Sequence, residues 1–90
     1  MSVLVAGELD MATADVLYKA LHEAVVQPGV TSIVVDFGGV GFCDSSGIGV
    51  LDRAYGEAQD AGIVLRLVKP RPSIRRILEL VGLLDTLTGS

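Results

Sequence analysis

Residues 42–51 read Phe42-Cys43-Asp44-Ser45-Ser46-Gly47-Ile48-Gly49-Val50-Leu51. An apolar run, Ile33-Val34-Val35, leads toward this stretch, and an amphipathic pattern follows it. That change of period predicts a tight turn at Asp44-Ser45-Ser46-Gly47, leading from a strand into a helix. The opening turn of a helix leaves backbone N–H groups unpaired and carries partial positive charge. A hydroxyl placed there can cap the helix, and a phosphate placed there is electrostatically favoured. The serines are therefore caps alone, or caps that double as a switch.

Upstream of this turn, Ser32 to Phe37 is rich in β-branched residues and nearly continuously apolar, the pattern of a strand covered on both faces. Gly38-Gly39-Val40-Gly41 reads as a flexible loop. Downstream, a helix is predicted from Ser46 to Ala61, with Ile48, Leu51, Ala54, Tyr55 and Ala58 on one face and Gly62 as its stop. Ile63 to Val68 is a further strand. Pro70 and Pro72 break the chain. Ser73 is a candidate cap for a last helix with Ile74, Ile77, Leu78 and Val81 inward, ended by Gly82. The last eight residues carry no decisive pattern.

At the other end, Val3 to Ala6 reads as a strand followed by Gly7-Glu8-Leu9-Asp10. Ala14, Leu17, Leu21, Ala24 and Val25 recur at helical spacing, so residues 13–27 form an amphipathic helix. Thr13 is its expected N-cap, Asp15 suits the first turn, and Pro28-Gly29 ends it. The order is βαβαβα. It implies a small α/β domain, residues 1–90, with a mostly parallel sheet of three to five strands packed against helices.

Composition narrows the function. Half the residues are hydrophobic, yet no apolar run approaches the ~20 residues of a membrane span. The start, Met1 to Ala6, lacks the basic segment and cleavage pattern of a signal peptide. A single cysteine, Cys43, allows no internal disulfide and suits a cytoplasmic setting. The net charge of −4 argues against nucleic-acid binding. The local basic cluster of Lys69, Arg71, Arg75 and Arg76 is expected to solvate a loop and a helix start. With one histidine, His22, and one cysteine there is no zinc set. The glycines at 38–41 lack the Lys-Ser/Thr that completes a phosphate-cradling nucleotide loop. A catalytic Cys43 would need a base in reach, and His22 reads as a mid-helix surface residue. Cys43 is expected to be a buried, inert thiol beside Phe42, and the chain is expected to be no enzyme. Asp10, Asp36 and Asp44 fall near strand ends, where they either share an acidic rim or serve the turns.

Three segments together resemble the STAS domain of bacterial anti-sigma factor antagonists. They are Gly7-Glu8-Leu9-Asp10 with Thr13, Val34-Val35-Asp36-Phe37 followed by Val40-Gly41-Phe42, and Asp44-Ser45-Ser46-Gly47-Ile48-Gly49-Val50-Leu51. The resemblance spans nearly the whole chain. It implies that Ser46, the second serine, is the phosphorylated residue. It also implies a partner surface formed by Asp10, Thr13, Asp44, Ser45, Ser46 and Gly47. The implied partners are an anti-sigma factor with Ser/Thr kinase activity, which releases a sigma factor when bound, and a Ser/Thr phosphatase. No cofactor is implied. Stand-alone STAS domains also resemble cytoplasmic subunits of transport systems, which would make this chain an unphosphorylated scaffold. Family members commonly have one more strand before Gly-Glu-Leu-Asp, and a longer C-terminal helical region. A sheet without that strand has a free edge, open to solvent or to a second copy. Gly49 is expected to let the helix approach the sheet, and Gly47 to leave the serine hydroxyl open.

Overall fold

A computed structural model describes residues 1–89. Three strands and four helices follow one another as β1 (Ser2–Leu9), α1 (Ala14–Val26), β2 (Ser32–Cys43), α2 (Ser45–Asp60), β3 (Val64–Val68), α3 (Pro72–Leu80) and α4 (Leu84–Thr88). The sheet order is β1-β2-β3, and both pairings are parallel. The expected α/β architecture is present, with α4 formed from residues that lacked a decisive pattern.

Alternation along β2 sends Ile33, Val35 and Phe37 to the interior, beside Leu65 and Leu67 of β3. The helices meet them with Leu17, Leu21, Leu51, Ala54, Ile74, Leu78 and Leu87, all in one apolar cluster. Truncating a fully buried member such as Leu21 or Leu51 to alanine is expected to cost roughly 2–5 kcal/mol.

The stretch Gly38–Gly41 is not a loop. β2 runs through it to Cys43, seven residues past the last pairing with β3 at Asp36–Val68, and continues against β1 alone. The register slips twice, between Leu4 and Ala6 and between Gly7 and Glu8, each time with one extra residue in β2. Such bulges tolerate glycine and are helped by it. At Gly39 a Cβ would stand 3.0 Å from the Ala6 Cβ and 3.3 Å from the Val5 carbonyl oxygen, so the strands approach closely there. Glycine's low strand propensity disguised this extension as a loop.

The last helix also differs. Pro72 occupies its first turn, and Arg71 precedes it without a side-chain cap, so Ser73 is not the cap. Ile74 and Leu78 are buried, but Ile77 and Val81 are exposed. The apolar stripe of α3 is narrower than its composition suggested. β1 pairs only with β2 among the described residues.

The close approach expected at Gly49 falls at Gly47 instead. A Cβ at Gly49 would meet nothing within 4 Å, whereas one at Gly47 would lie 2.6 Å from the Cys43 Sγ and 3.1 Å from the Leu9 Cβ. Gly47 is thus the glycine that lets α2 close onto the sheet. Gly49→Ala is expected to stabilise the fold by up to about 1 kcal/mol through helix propensity. Gly47→Ala is expected to destabilise it by roughly 1–3 kcal/mol through overpacking. Thermal melts should separate the two variants by opposite shifts in Tm, at about 4–8 °C per kcal/mol.

Candidate functional site

Asp44 is the N-cap of α2. Its backbone is extended, and its Oδ1 accepts hydrogen bonds from the amides of Ser46 at 2.8 Å and Gly47 at 3.4 Å. The Ile48 amide donates to the Asp44 carbonyl oxygen at 3.1 Å, as the first bond of the helix. Helix α2 therefore begins at Ser45, one residue before the expected start. One carboxylate does the capping, and among the described residues neither serine hydroxyl has a hydrogen-bond partner. Ser45 is exposed and Ser46 half-buried. Ser46 thus places a free hydroxyl at the positive end of a helix of 16 residues.

The neighbouring turn is built in the same way. Asp10 Oδ1 accepts from the amides of Ala12 at 2.9 Å and Thr13 at 3.1 Å. Thr13 Oγ1 accepts from the Asp10 amide at 3.0 Å and lies 3.0 Å from the Glu8 carbonyl oxygen, to which it can donate. This reciprocal pair satisfies donors on both sides of the turn, in the manner of a capping box. Thr13 holds the N-cap position of α1 but makes no side-chain cap there; Asp10 supplies that carboxylate instead. Both side chains work inside the turn, and Asp10 and Asp44 each bond through Oδ1 only.

The two turns are tied together. The Asp44 amide donates to the Leu9 carbonyl oxygen at 3.0 Å, extending the Leu9–Cys43 pairing by one step. Asp10 and Asp44 therefore lie side by side at the carboxyl ends of β1 and β2, where sites of parallel sheets collect. Asp36 does not join them. It sits opposite Leu4 and Val68, with the bulged part of β2 still to come. Its Oδ1 accepts from the Gly38 amide at 2.8 Å, and Lys69 Nζ lies 3.7 Å from its Oδ2. Arg71 Nε donates to the Gly38 carbonyl oxygen at 3.3 Å. The basic cluster thus braces the bulge with two of its members.

Cys43 is buried, as expected, but its neighbours are Leu9 and the Gly47 backbone, while Phe42 is 50 % exposed. Burial, and then the Asp44 carboxylate, raise the thiol from 9.0 to about 11. A neutral thiol of this kind is a packing group at physiological pH.

Two features escaped the sequence reading. Tyr18 of α1 donates to the Glu57 carboxylate of α2, with oxygens at 2.7 and 2.8 Å, while Arg53 lies over the Tyr18 ring at 4.2 Å. His22, half-exposed, stacks on Tyr18 with centroids 5.6 Å apart. The hydrogen bond to Glu57, then burial, raise the Tyr18 pKa. This clamp holds α1 against α2 at residues whose separation in sequence gives no local signal. The second feature is the exposure of Met11 and Phe42 beside the two turns.

Residues 1–89 match the family model of the STAS domain, and the chain belongs to that family. A curated relative from Paenibacillus polymyxa, named anti-sigma F factor antagonist, is 31 % identical over 81 residues, covering 90 % of this chain and 69 % of the relative. The unphosphorylated form of the anti-sigma factor antagonist SpoIIAA superposes with a TM-score of 0.81 at 27 % identity, over 93 % of this chain and 73 % of that one. The Bacillus cell fate determinant SpoIIAA in its phosphorylated form gives a TM-score of 0.75 at 26 % identity, over 97 % and 78 % of the two chains. An anti-sigma factor antagonist from Mycobacterium paratuberculosis gives 0.80 at 33 % identity, over 97 % and 72 %. The chain spans about two thirds to three quarters of these proteins' lengths. Among the described residues no helix is long and apolar enough to cross a membrane.

Two outcomes follow for the site. Replacing Asp44 by alanine removes the acceptor for two amides and should cost roughly 0.5–2 kcal/mol, with Asp44→Ser recovering most of it in denaturant melts. The folded protein holds the Cys43 proton more tightly than the unfolded chain does. That contribution to stability is complete below pH 9.0 and drains away as pH rises toward about 11. Alkylation of native protein with iodoacetamide should accordingly be slow at pH 8, and Cys43→Ala should flatten the alkaline loss of stability.

Proposed function

We propose that this chain is an anti-sigma factor antagonist whose partner binding is switched off by phosphorylation of Ser46. The observation that carries the reading is the division of labour at α2: Asp44 caps the helix, which leaves the Ser46 hydroxyl unbonded at its N-terminus. A serine required as a cap could not be modified without disturbing the helix; this one can. The names of the relatives support the regulatory role.

In this reading the unmodified protein acts in the cytoplasm and binds an anti-sigma factor through the paired turns, and the sigma factor is released. The anti-sigma factor also acts as a Ser/Thr kinase. Ser46 Oγ attacks the γ-phosphorus of ATP, the bond to the bridging oxygen of ADP breaks, and the hydroxyl proton passes to a base on the kinase. The chain supplies the acceptor and no catalysis. A Ser/Thr phosphatase hydrolyses the phosphoester with water, returning the serine and inorganic phosphate.

Charge explains the release. A phosphoserine carries about −1.5 to −2 charge at pH 7. The helix N-terminus tolerates that charge, while the Asp44 carboxylate beside it opposes it. No Lys or Arg lies in the first turn of α2 to neutralise it. A partner seated over Ser46 must desolvate a dianion, so the modification acts on the surface while the fold persists.

Ser46→Asp is expected to weaken binding to an anti-sigma factor kinase by at least tenfold while moving Tm by no more than a few degrees. Ser46→Ala should bind like the parent and accept no phosphate when incubated with kinase and ATP, as read by intact-mass spectrometry. Phosphate on Ser45 in place of Ser46 would reassign the switch. No phosphate on either serine would return the chain to the scaffold reading.

A further inference from the structure

The two edges of the sheet are built differently. In β3 the Val64 amide donates inward to the Thr31 carbonyl oxygen, so alternation turns the backbone groups of Leu65 outward. The Arg66 guanidinium covers that edge by donating to the Leu65 carbonyl oxygen at 3.1 Å. A charged side chain on an edge strand opposes pairing with another chain. β1 has no such guard. The Met1 amine donates to the Ser32 carbonyl oxygen, and the Met1 carbonyl oxygen accepts from the Val34 amide. Met1 and Val3 therefore face β2, while Ser2, Leu4 and Ala6 present their amides and carbonyls outward. Among the described residues no strand pairs with them. Residues 2–7 carry neither a charged side chain nor a proline.

Beside this edge an open groove of about 290 Å³ runs between β1 and α1, lined by Val3, Val5, Val16, Leu17 and Ala20. Val3 and Val5 are half-buried on the helix side, and alternation puts the Leu4 side chain, 82 % exposed, on the opposite face of the sheet. Val16 is 70 % exposed. The groove fits an extended segment with β-branched apolar side chains at alternate positions. Ser2-Val3-Leu4-Val5-Ala6 is itself such a segment. The chain carries a net charge of −4, so an uncharged strand is where two copies approach without opposing like charges.

We propose that a second copy of this chain occupies the groove, the two β1 strands pairing antiparallel about a two-fold axis at Leu4. Gly7, at φ 91°, ends the extended run. Leu4 is the middle of residues 2–6, so this register uses the whole straight edge. Leu4 exchanges both backbone hydrogen bonds with Leu4 of the second copy, and Ser2 pairs with its Ala6. Val3 and Val5 of each copy fill the groove of the other, and the two Leu4 side chains cover one another. The contact is isologous and closes at two copies. Because the strands run in opposite directions, the Ser46 turns lie at opposite ends of the pair and stay open. Pairing at β1 does not depend on the switch assigned to Ser46.

Sedimentation equilibrium of the full chain is the test. The parent should reach twice the chain mass of 9.4 kDa at micromolar concentration. Leu4→Lys sets two ammonium groups opposite one another, and Val16→Lys puts a charge in the groove. Each should raise the dissociation constant of the dimer at least tenfold. Both positions face solvent in the single chain, so the variants fold, as thermal melts verify. Leu80→Lys, at an exposed apolar position on α3, and Ser46→Asp should dimerise as the parent does. Under mild oxidation with diamide, Leu4→Cys should form an interchain disulfide, since the paired Cα atoms stand about 5.5 Å apart. Ser2→Cys alone should not, its two copies lying about 14 Å apart. Cys43 is buried and takes no part. A parent that stays at the mass of one chain overturns the proposal. A dimer that Leu4→Lys and Val16→Lys leave intact also overturns it, because the copies then meet elsewhere. Lysine-sensitive dimerisation without the Leu4→Cys crosslink overturns the register.

Discussion

The first turn of α2 rests directly on the ends of β1 and β2, and there is room at that contact for a glycine and nothing larger. A Cβ on Gly47 would collide with the Cys43 sulfur and crowd Leu9. The rest of the site depends on this approach. It seats α2 so that Asp44 both ends the strand, through the Leu9 carbonyl, and opens the helix, through the Ser46 and Gly47 amides. It also buries Cys43 and brings Asp10 and Asp44 to the same end of the sheet.

The extension of β2 makes the approach possible. A strand that stopped at Phe37, with its partner β3, would leave the serines at the end of a loop. The two extra residues at the bulges carry the chain on beside β1 instead. Asp36 and Arg71 hold the first part of the bulge through the Gly38 amide and carbonyl. Rigid placement beside a strand end suits the switch proposed for Ser46.

Much of this was readable in the sequence. Apolar periodicity located β1, α1, β2 and α2, and the resemblance of three short segments pointed to the STAS family and to Ser46. What failed did so where tertiary contacts override local preference. Gly38–Gly41 has loop composition but is held in the sheet by β1. Gly47 and Gly49 look alike in sequence, and only the position of Cys43 and Leu9 distinguishes them. Asp36 shares its residue type with Asp10 and Asp44, but the overrun of β2 removes it from their company. Ile77 and Val81 have the spacing of core residues, but α3 turns Ile74 and Leu78 inward and ends before Val81. Thr13 and Asp10 divide the capping of their turn in a way that needs coordinates to see. The Tyr18–Glu57 clamp joins residues 39 positions apart, beyond any local pattern.

The central claim is that a carboxylate caps α2 and so frees Ser46 to carry a charge without altering the fold. It is tested most directly by comparing 1H–15N NMR spectra of the protein before and after stoichiometric phosphorylation. Shift changes confined to residues near 8–13 and 42–49, with the core amides of Leu21, Val35 and Leu67 unmoved, are the predicted result. Changes spread through the core, or a loss of dispersion, would contradict it, because they would mean that Ser46 helps to hold the helix in place.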